Sequence, residues 1–297
     1  MSRTEILERP PSRQLCGQRL LIVGARGYIG RYLTSYALAR GAHVVGVSSG
    51  ECDLRDPEAV AALFDSLGSA PYAVVFLAVI KKAEAGSFDA FVDNTRLVQH
   101  LIEGCARAQI SSILYFSSAD VYGRRPALPI TEQSRLAPDS WYALAKATSE
   151  WMLLSSGQVR CPVTILRLPG VYGRSPNDRS VIGRMVEGIT REGRVRYRGR
   201  ETLLRDYVWV DDLCRLLERL IPLRYHGVLN VATGESRSLR QIAQMIGTIL
   251  GRDVEMVREG DDQARSFDLQ FDIQALRRLV PDVAFSDLAA GVRSYLP

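Results

Sequence analysis

Residues 19–30, RLLIVGARGYIG, set an apolar run directly against Gly24, Gly27 and Gly30, and RYLTSYALARG then carries helical periodicity to a glycine stop. A buried strand that breaks into a glycine turn at the mouth of a helix admits few folds. The glycines permit a tight reversal and let an anionic group approach the first N–H groups of the helix. HVVGVSS reads as a second strand, DPEAVAALFDSL as a helix opened by Asp-Pro and YAVVFLAV as a third strand. DAFVDNTRLVQHLIEGCARAQ is a long amphipathic helix, and SILYFSS is the strand after it. This alternation predicts an α/β fold, a doubly wound parallel sheet with helices on both faces.

A helix follows from about 141, then the strand VTILRLP; beyond 173 the alternation breaks down. GRSPNDRSVIGRMVEGITREG reads as a loop and a helix, YVWVDDLCRLLERLI as a strand edge entering a helix, and GVLNVAT as a strand. We expect a dinucleotide-binding domain over 16–173 and a smaller substrate-binding lobe mainly over 174–297, with 207–232 crossing back to the first domain.

A chain of 297 residues with 46% hydrophobic content has room for such a core. No run reaches the roughly 20 apolar residues of a membrane span, and MSRTEILERPPSRQ is too charged and proline-rich for a secretory signal. The expectation is a soluble, cytoplasmic protein. Cys16, Cys52, Cys105, Cys161 and Cys214 are widely separated, and His43, His100 and His226 are the only histidines, so no metal site is expected. The net charge of +5 is spread among acids, and its densest stretch, REGRVRYRGRETLLRD, suits the phosphates of a small ligand, so no nucleic-acid partner is expected.

The strand, glycine turn and helix point to a dinucleotide held by Gly24, Arg26, Gly27, Tyr28, Ile29 and Gly30. The tip of the second strand decides which one. It ends in Ser48 and Ser49, where a ribose-binding acid is expected; serine hydroxyls with Arg26 favour a 2′-phosphate, so NADP is expected, with NAD the alternative. Glu51 is the objection, since a small backbone adjustment brings an acid to the ribose. Asp53 and Leu54 lie toward the adenine, Leu77 and Ala78 beyond the third strand; Asp56-Pro57 also reads as a plain helix start.

Tyr142 and Lys146 stand four apart, on one face of a helix. A neighbouring ammonium favours a phenolate, which predicts a lowered pKa for Tyr142. Ser117 and Ser118 end a predicted strand on the usual ligand side of such a sheet. Ser118 donating to a substrate oxygen while Tyr142 moves a proton amounts to hydride transfer with general acid-base assistance.

GARGYIG, DLRD, SSADVYG, YALAK, RLPGVYG, RDYVWVDD and LNVATGES, in this order over about residues 19–297, resemble the extended short-chain dehydrogenase/reductase family in its nucleotide-sugar epimerase, dehydratase and ketoreductase branch. The resemblance implies a Rossmann-type sheet with a smaller C-terminal lobe, and a catalytic triad of Ser118, Tyr142 and Lys146, the lysine also anchoring the cofactor. It implies that Arg205 and Arg265 bind sugar-nucleotide phosphates and that Ser118 and Asp120 face the substrate. Asn94 then helps order the lysine or a water. Plainer readings are an ion pair of Arg205 with Asp206 or Asp211, a solvated Arg265 and a solvent-facing Asn94.

Dehydratases of this branch carry an Asp-Glu pair after the catalytic serine or threonine, and here Ala119 and Asp120 follow Ser118. The expected reaction is NADPH-dependent reduction of the 4-keto group of a nucleotide-linked 4-keto-6-deoxy sugar; the alternatives are an NAD-dependent 4-epimerase, then a dehydratase. A dinucleotide-sensing regulator, a family-like RNA-binding protein and a redox enzyme on a non-sugar substrate are the remaining readings. Many relatives have asparagine at Gly170, so the pocket there is enlarged or another residue substitutes. The resemblance also implies a homodimer, with Leu97, Leu101, Trp151 and Leu154 available for its surface unless they pack on the chain's own sheet.

Overall fold

A computed structural model describes residues 14–80, 87–175, 180–260 and 267–296. Strands and helices alternate as β1 (Arg19–Val23), α1 (Tyr28–Ala39), β2 (His43–Val47), α2 (Pro57–Asp65), β3 (Tyr72–Phe76), α3 (Phe88–Cys105), β4 (Ile110–Ser118), α4 (Trp141–Ser155) and β5 (Val163–Leu168). Then come β6 (Gly170–Tyr172), α5 (Val181–Glu192), β7 (Arg194–Tyr197), β8 (Leu204–Arg205), β9 (Tyr207–Trp209), α6 (Val210–Leu223) and β10 (Gly227–Asn230). The chain ends with β11 (Arg237–Ser238), α7 (Leu239–Leu250), β12 (Glu255–Arg258), α8 (Gln274–Leu279) and α9 (Leu288–Arg293).

Six strands form one parallel sheet in the order β10-β5-β4-β3-β1-β2. The chain runs from β1 out to β2 and returns to the other side of β1 for β3. The strand order therefore reverses between β1 and β3, and the crevice beyond their carboxyl ends is where such a sheet takes a ligand. Successive side chains point to opposite faces, so each strand feeds two cores. Leu20 and Ile22 of β1 pack with Leu33 and Ala37 of α1 and with Leu213, Leu216, Leu217 and Leu220 of α6. Leu21 and Val23 pack with Val60 and Phe64 of α2 and with Val98 and Leu101 of α3. This two-sided burial is why the strands read as unbroken apolar runs. Leu276 and Val280 join the α1 and α6 layer.

Asp56 caps α2, its carboxylate accepting from Glu58 N at 2.9 Å with Pro57 at the first helical position, which is its plainer reading from sequence. A third core joins Ile182, Met185 and Ile189 of α5 to Ile242 and Ile246 of α7, and includes Tyr172, Val195 and Val292. β6 pairs with β9, β7 with β12 and β8 with β11, tying this lobe to the carboxyl end of the sheet. Leu97 and Leu101 are 7% and 1% exposed and belong to the α2 and α3 core, which removes them from any dimer surface; Trp151, at 69%, and Leu154, at 36%, stay outside. Among the described residues no helix is long and apolar enough to cross a membrane.

Candidate functional site

The glycine turn has the form a dinucleotide pyrophosphate needs. Gly24 has φ +94°, and a Cβ there would stand 2.9 Å from Ala78 N; a Cβ on Gly30 would meet Gly24 O at 2.2 Å. Behind this turn α1 starts at Gly27 with no side-chain cap and no acid in its first turn, leaving its amino end open to an anion. Leu77 N donates to Val23 O at 2.8 Å, which brings Leu77 and Ala78 against the turn. The residues fit the cofactor that the fold implies.

At the tip of β2, Ser48 Oγ accepts from Arg26 N at 2.9 Å, so this hydroxyl braces the glycine turn. Ser48 N donates to the Glu51 carboxylate at 3.1 Å, and Glu51 forms an ion pair with Arg26. An acid therefore does stand at the strand tip, brought back by a turn in which Glu51 N donates to Ser48 O at 2.9 Å. Arg26 is 72% exposed, and a pair so open to water is worth about 1 kcal/mol or less. Asp53 is gripped by Arg55, with contacts of 3.0 and 2.8 Å, and this holds its carboxyl below the usual range. The Leu54 carbonyl is bonded to His100 Nδ1 at 2.7 Å, which gives that buried histidine a structural partner.

Ser118 is the last residue of β4, and its hydroxyl accepts from Asp120 N at 3.1 Å in the turn Ala119–Tyr122. Ser140 caps α4, accepting from Ala143 N at 3.2 Å, which sets Tyr142 in the first turn facing Ser118. Burial, and after it the Asp120 charge, push Tyr142 up to about 12 despite its hydrogen bond with Ser118. The lowered value expected from a lysine neighbour is thereby corrected: Lys146 Nζ donates to Phe116 O at 2.6 Å and lies 4.7 Å from the centroid of the Tyr115 ring. Lys146 itself is buried, and desolvation pulls it down to about 7 against the opposing pull of Glu150.

Asn94 is buried beside Tyr142 and Lys146, but its amide is committed elsewhere, donating to Ala90 O at 2.8 Å and accepting from Ile80 N at 2.9 Å. It pins the chain beyond β3 to α3 and does not bond the lysine. Arg205 donates to Leu204 O at 2.8 Å and Phe267 O at 2.6 Å. Asp206, one of the two acids it was expected to pair with, accepts from Thr233 N, Thr233 Oγ1 and Gly234 N at 2.9–3.0 Å. Arg205 walls a cavity of about 590 Å³ with Arg184, Arg198, Met185, Tyr197 and Tyr207. A second cavity of about 520 Å³ shares Arg205 and Tyr207 and is closed by residues 273–288. The first has the cationic and aromatic character a nucleoside diphosphate requires. Ser118 pairs with Leu168, and two residues on Gly170 pairs with Tyr207, which places this cavity at the same end of the sheet.

Residues 20–232 match the model of the NAD dependent epimerase/dehydratase family. The chain belongs to that family. It is 28% identical over 260 residues to GDP-6-deoxy-D-mannose reductase of Pseudomonas aeruginosa, covering 82% of this chain and 83% of the relative. It is 26% identical over 275 residues to UDP-glucose 4-epimerase of Azospirillum brasilense, covering 80% and 78%. The solved structure of RMD from Pseudomonas aeruginosa complexed with NADPH superposes with a TM-score of 0.77 at 25% identity, covering 94% of this chain and 97% of that one. Membership bears out the resemblance read from the ordered segments.

In this family member the space above Gly170 is filled. A Cβ on Gly170 would lie 2.5 Å from Tyr207 Cδ1, so the tyrosine ring takes the place of a side chain at 170 and the pocket is not enlarged there. Arg265 and residues 176–179 of the GRSPNDRS segment lie outside the described residues. Sequence reasoning took in Arg198 as part of the arginine-rich stretch suited to a small ligand's phosphates without naming it, and it missed Arg184, Arg167 and Glu150. Arg167 stands inside the apolar strand TILRLP, a place where a cation needs a buried partner. That partner is Glu150, which accepts from Arg167 Nη2 at 2.7 Å and Nε at 3.1 Å, both residues being less than 5% exposed.

Proposed function

We propose that this protein reduces the 4-keto group of a nucleotide-linked 4-keto-6-deoxy sugar with NADPH. The observation that carries the reading is Tyr142, hydrogen-bonded to Ser118 at the carboxyl end of β4 and pushed toward its phenol form by burial. A phenol held up to about 12 is a proton donor at neutral pH, which is the form reduction of a ketone requires. When bound, the cofactor supplies the hydride. Ser118 Oγ accepts from Asp120 N and donates a hydrogen bond to the sugar C4 oxygen without losing its proton, and Tyr142 delivers the single proton that completes the new hydroxyl as charge develops there. Lys146, fixed by Phe116 O, is placed to hold the nicotinamide ribose, and Arg184, Arg198 and Arg205 receive the diphosphate. The GDP-6-deoxy-D-mannose reductase relative supports the substrate class. Ala119, where a dehydratase has its acid, argues against water loss.

The second reading, a 4-epimerase retaining NAD, is favoured by one observation, the Glu51 carboxylate at the tip of β2. The two are separated by mass spectrometry of the cofactor released from purified protein, followed by NADPH and NADH titration of the emptied site. An empty site preferring NADPH supports the reductase; stoichiometric NAD supports the epimerase. For the reductase, Arg26→Ala should weaken NADPH about 10-fold or more and leave NADH within about 3-fold, because only the phosphate loses a charge-assisted bond. Glu51→Gln should raise the preference for NADPH over NADH by about 10-fold, by freeing Arg26 and removing an acceptor for the ribose diol. Equal weakening of both cofactors by Arg26→Ala would rule out a 2′-phosphate site.

We also infer a homodimer through the outer face of α3 and α4. Trp141, Leu144, Trp151 and Leu154 line one side of α4, and Phe88 of α3 stacks edge-on against Trp141 with ring centroids 5.5 Å apart. An apolar patch of this kind on a helix pair is a surface that association buries. Trp151→Asp is expected to convert a dimer at micromolar concentration into a monomer by light scattering with the fold retained; a wild-type chain that is monomeric there contradicts the assignment.

A further inference from the structure

Lys146 is a deeply buried titrating group at the proposed site, and its surroundings offer little to keep it charged. It lies within α4 with 5% exposure, its Nζ directed at Phe116 O and the face of Tyr115. One helical turn further, on the same face of α4, stands Glu150. Two side chains hold that carboxylate. Arg167 from β5 approaches it in a two-nitrogen fork, and Ser117 Oγ, one residue before Ser118, donates to it. Arg167 is steadied in turn by Tyr122 Oη at 3.0 Å and Glu132 O at 3.1 Å, and Tyr122 Oη donates to Asn230 Oδ1 at 2.6 Å. The carboxylate is thus locked in place by four different segments of the chain.

We infer that Glu150 is a positioning residue for the proposed reaction: a buried, immobilised carboxylate whose charge keeps Lys146 in its ammonium form. The inference rests on the assignment of Lys146 to the cofactor ribose. Among the described residues, the other titratable or charged groups around Lys146 are Tyr142 on its own helix, Tyr115 from β4, Asp120 from the turn after β4, and Arg167 with Tyr122 behind Glu150; α3 contributes the uncharged Asn94. Of these, Glu150 is the carboxylate that acts on Lys146, raising its proton affinity against desolvation. A neutral amine, no longer a charged donor, holds a ribose hydroxyl less firmly.

The chain has three lysines, Lys81, Lys82 and Lys146, so the titration can be observed directly on the whole protein. Lysine labelled with carbon-13 at Cε is followed by NMR from pH 5 to 11 in the wild type and in Glu150→Gln, with Lys146→Met assigning the signal. The Lys146 midpoint should fall by about one pH unit in Glu150→Gln, since a carboxylate one turn away at an effective dielectric near 20 contributes on the order of that much. Ser117→Ala, which keeps the charge and loses only a hydrogen bond, should leave the midpoint within about 0.3 unit. A folded Glu150→Gln whose Lys146 midpoint matches the wild type overturns the inference. Should Glu150→Gln not fold, Glu150→Asp is read the same way: withdrawing the carboxylate by one methylene lowers the midpoint by a smaller step, and an unchanged midpoint overturns it. The readout needs no sugar substrate, so it stands or falls separately from the ketoreductase reading.

Discussion

Tyr142→Phe should lower turnover about 10²- to 10⁴-fold while leaving NADPH affinity within about 3-fold of the wild type, the range for removing a positioned general acid. The phenol is buried in the first turn of α4 and bonded to Ser118, so losing its oxygen deletes the proton donor with little change of packing. Turnover and KM separate the cases. A donor acting only as the transition state forms lowers kcat and kcat/KM together; a group that only binds substrate raises KM. Near-wild-type turnover of Tyr142→Phe would remove it from the chemistry. The pH dependence has a defined sign: activity that requires protonated Tyr142 is present at neutral pH and is lost as pH rises toward about 12.

Arg167→Met is expected to be the most destabilising single change in the sheet, by about 3–5 kcal/mol, because it strands a carboxylate in the interior. Glu150 is 3% exposed and takes its fork of hydrogen bonds from Arg167, so no water replaces the lost cation. In a chain of this size each kcal/mol moves Tm by about 2–4 °C, which makes the drop easy to read by calorimetry. The double variant Arg167→Met with Glu150→Leu should recover much of the loss, since apolar replacement of both partners of a buried pair is often neutral. A single variant costing less than about 1 kcal/mol, or a double variant as unstable as the single, would contradict this account of the pair.

The fold was legible because β1, β3, β4 and β5 are apolar on both faces and the glycine turn sits where the strand order reverses, so local pattern and global topology agree. The meeting of Ser118 with Tyr142 was legible for a related reason: the strand end and the first turn of the helix fix where they point. What sequence could not give was decided by contacts distant along the chain. Glu51 was named as an acid that a small backbone adjustment would bring to the β2 tip, but whether the turn makes that adjustment no spacing rule fixes. Leu97 and Leu101 share a helix with residues of the outer face, and only the packing of α2 and β3 shows that they point inward. The direction of the Tyr142 shift was misread because spacing to Lys146 is visible in sequence, while burial and the Asp120 charge are not. Gly170 marked a missing side chain without naming its replacement, which Tyr207 supplies from 37 residues further along the chain.

The most direct test of the central claim is to mix the purified protein with NADPH and a nucleotide-linked 4-keto-6-deoxy sugar and follow nicotinamide absorbance and the sugar by NMR together. The account predicts one NADPH oxidised for each new C4 hydroxyl formed. Inversion at C4 of a nucleotide sugar with no net change in the nicotinamide, carried out by protein holding its own NAD, would contradict it.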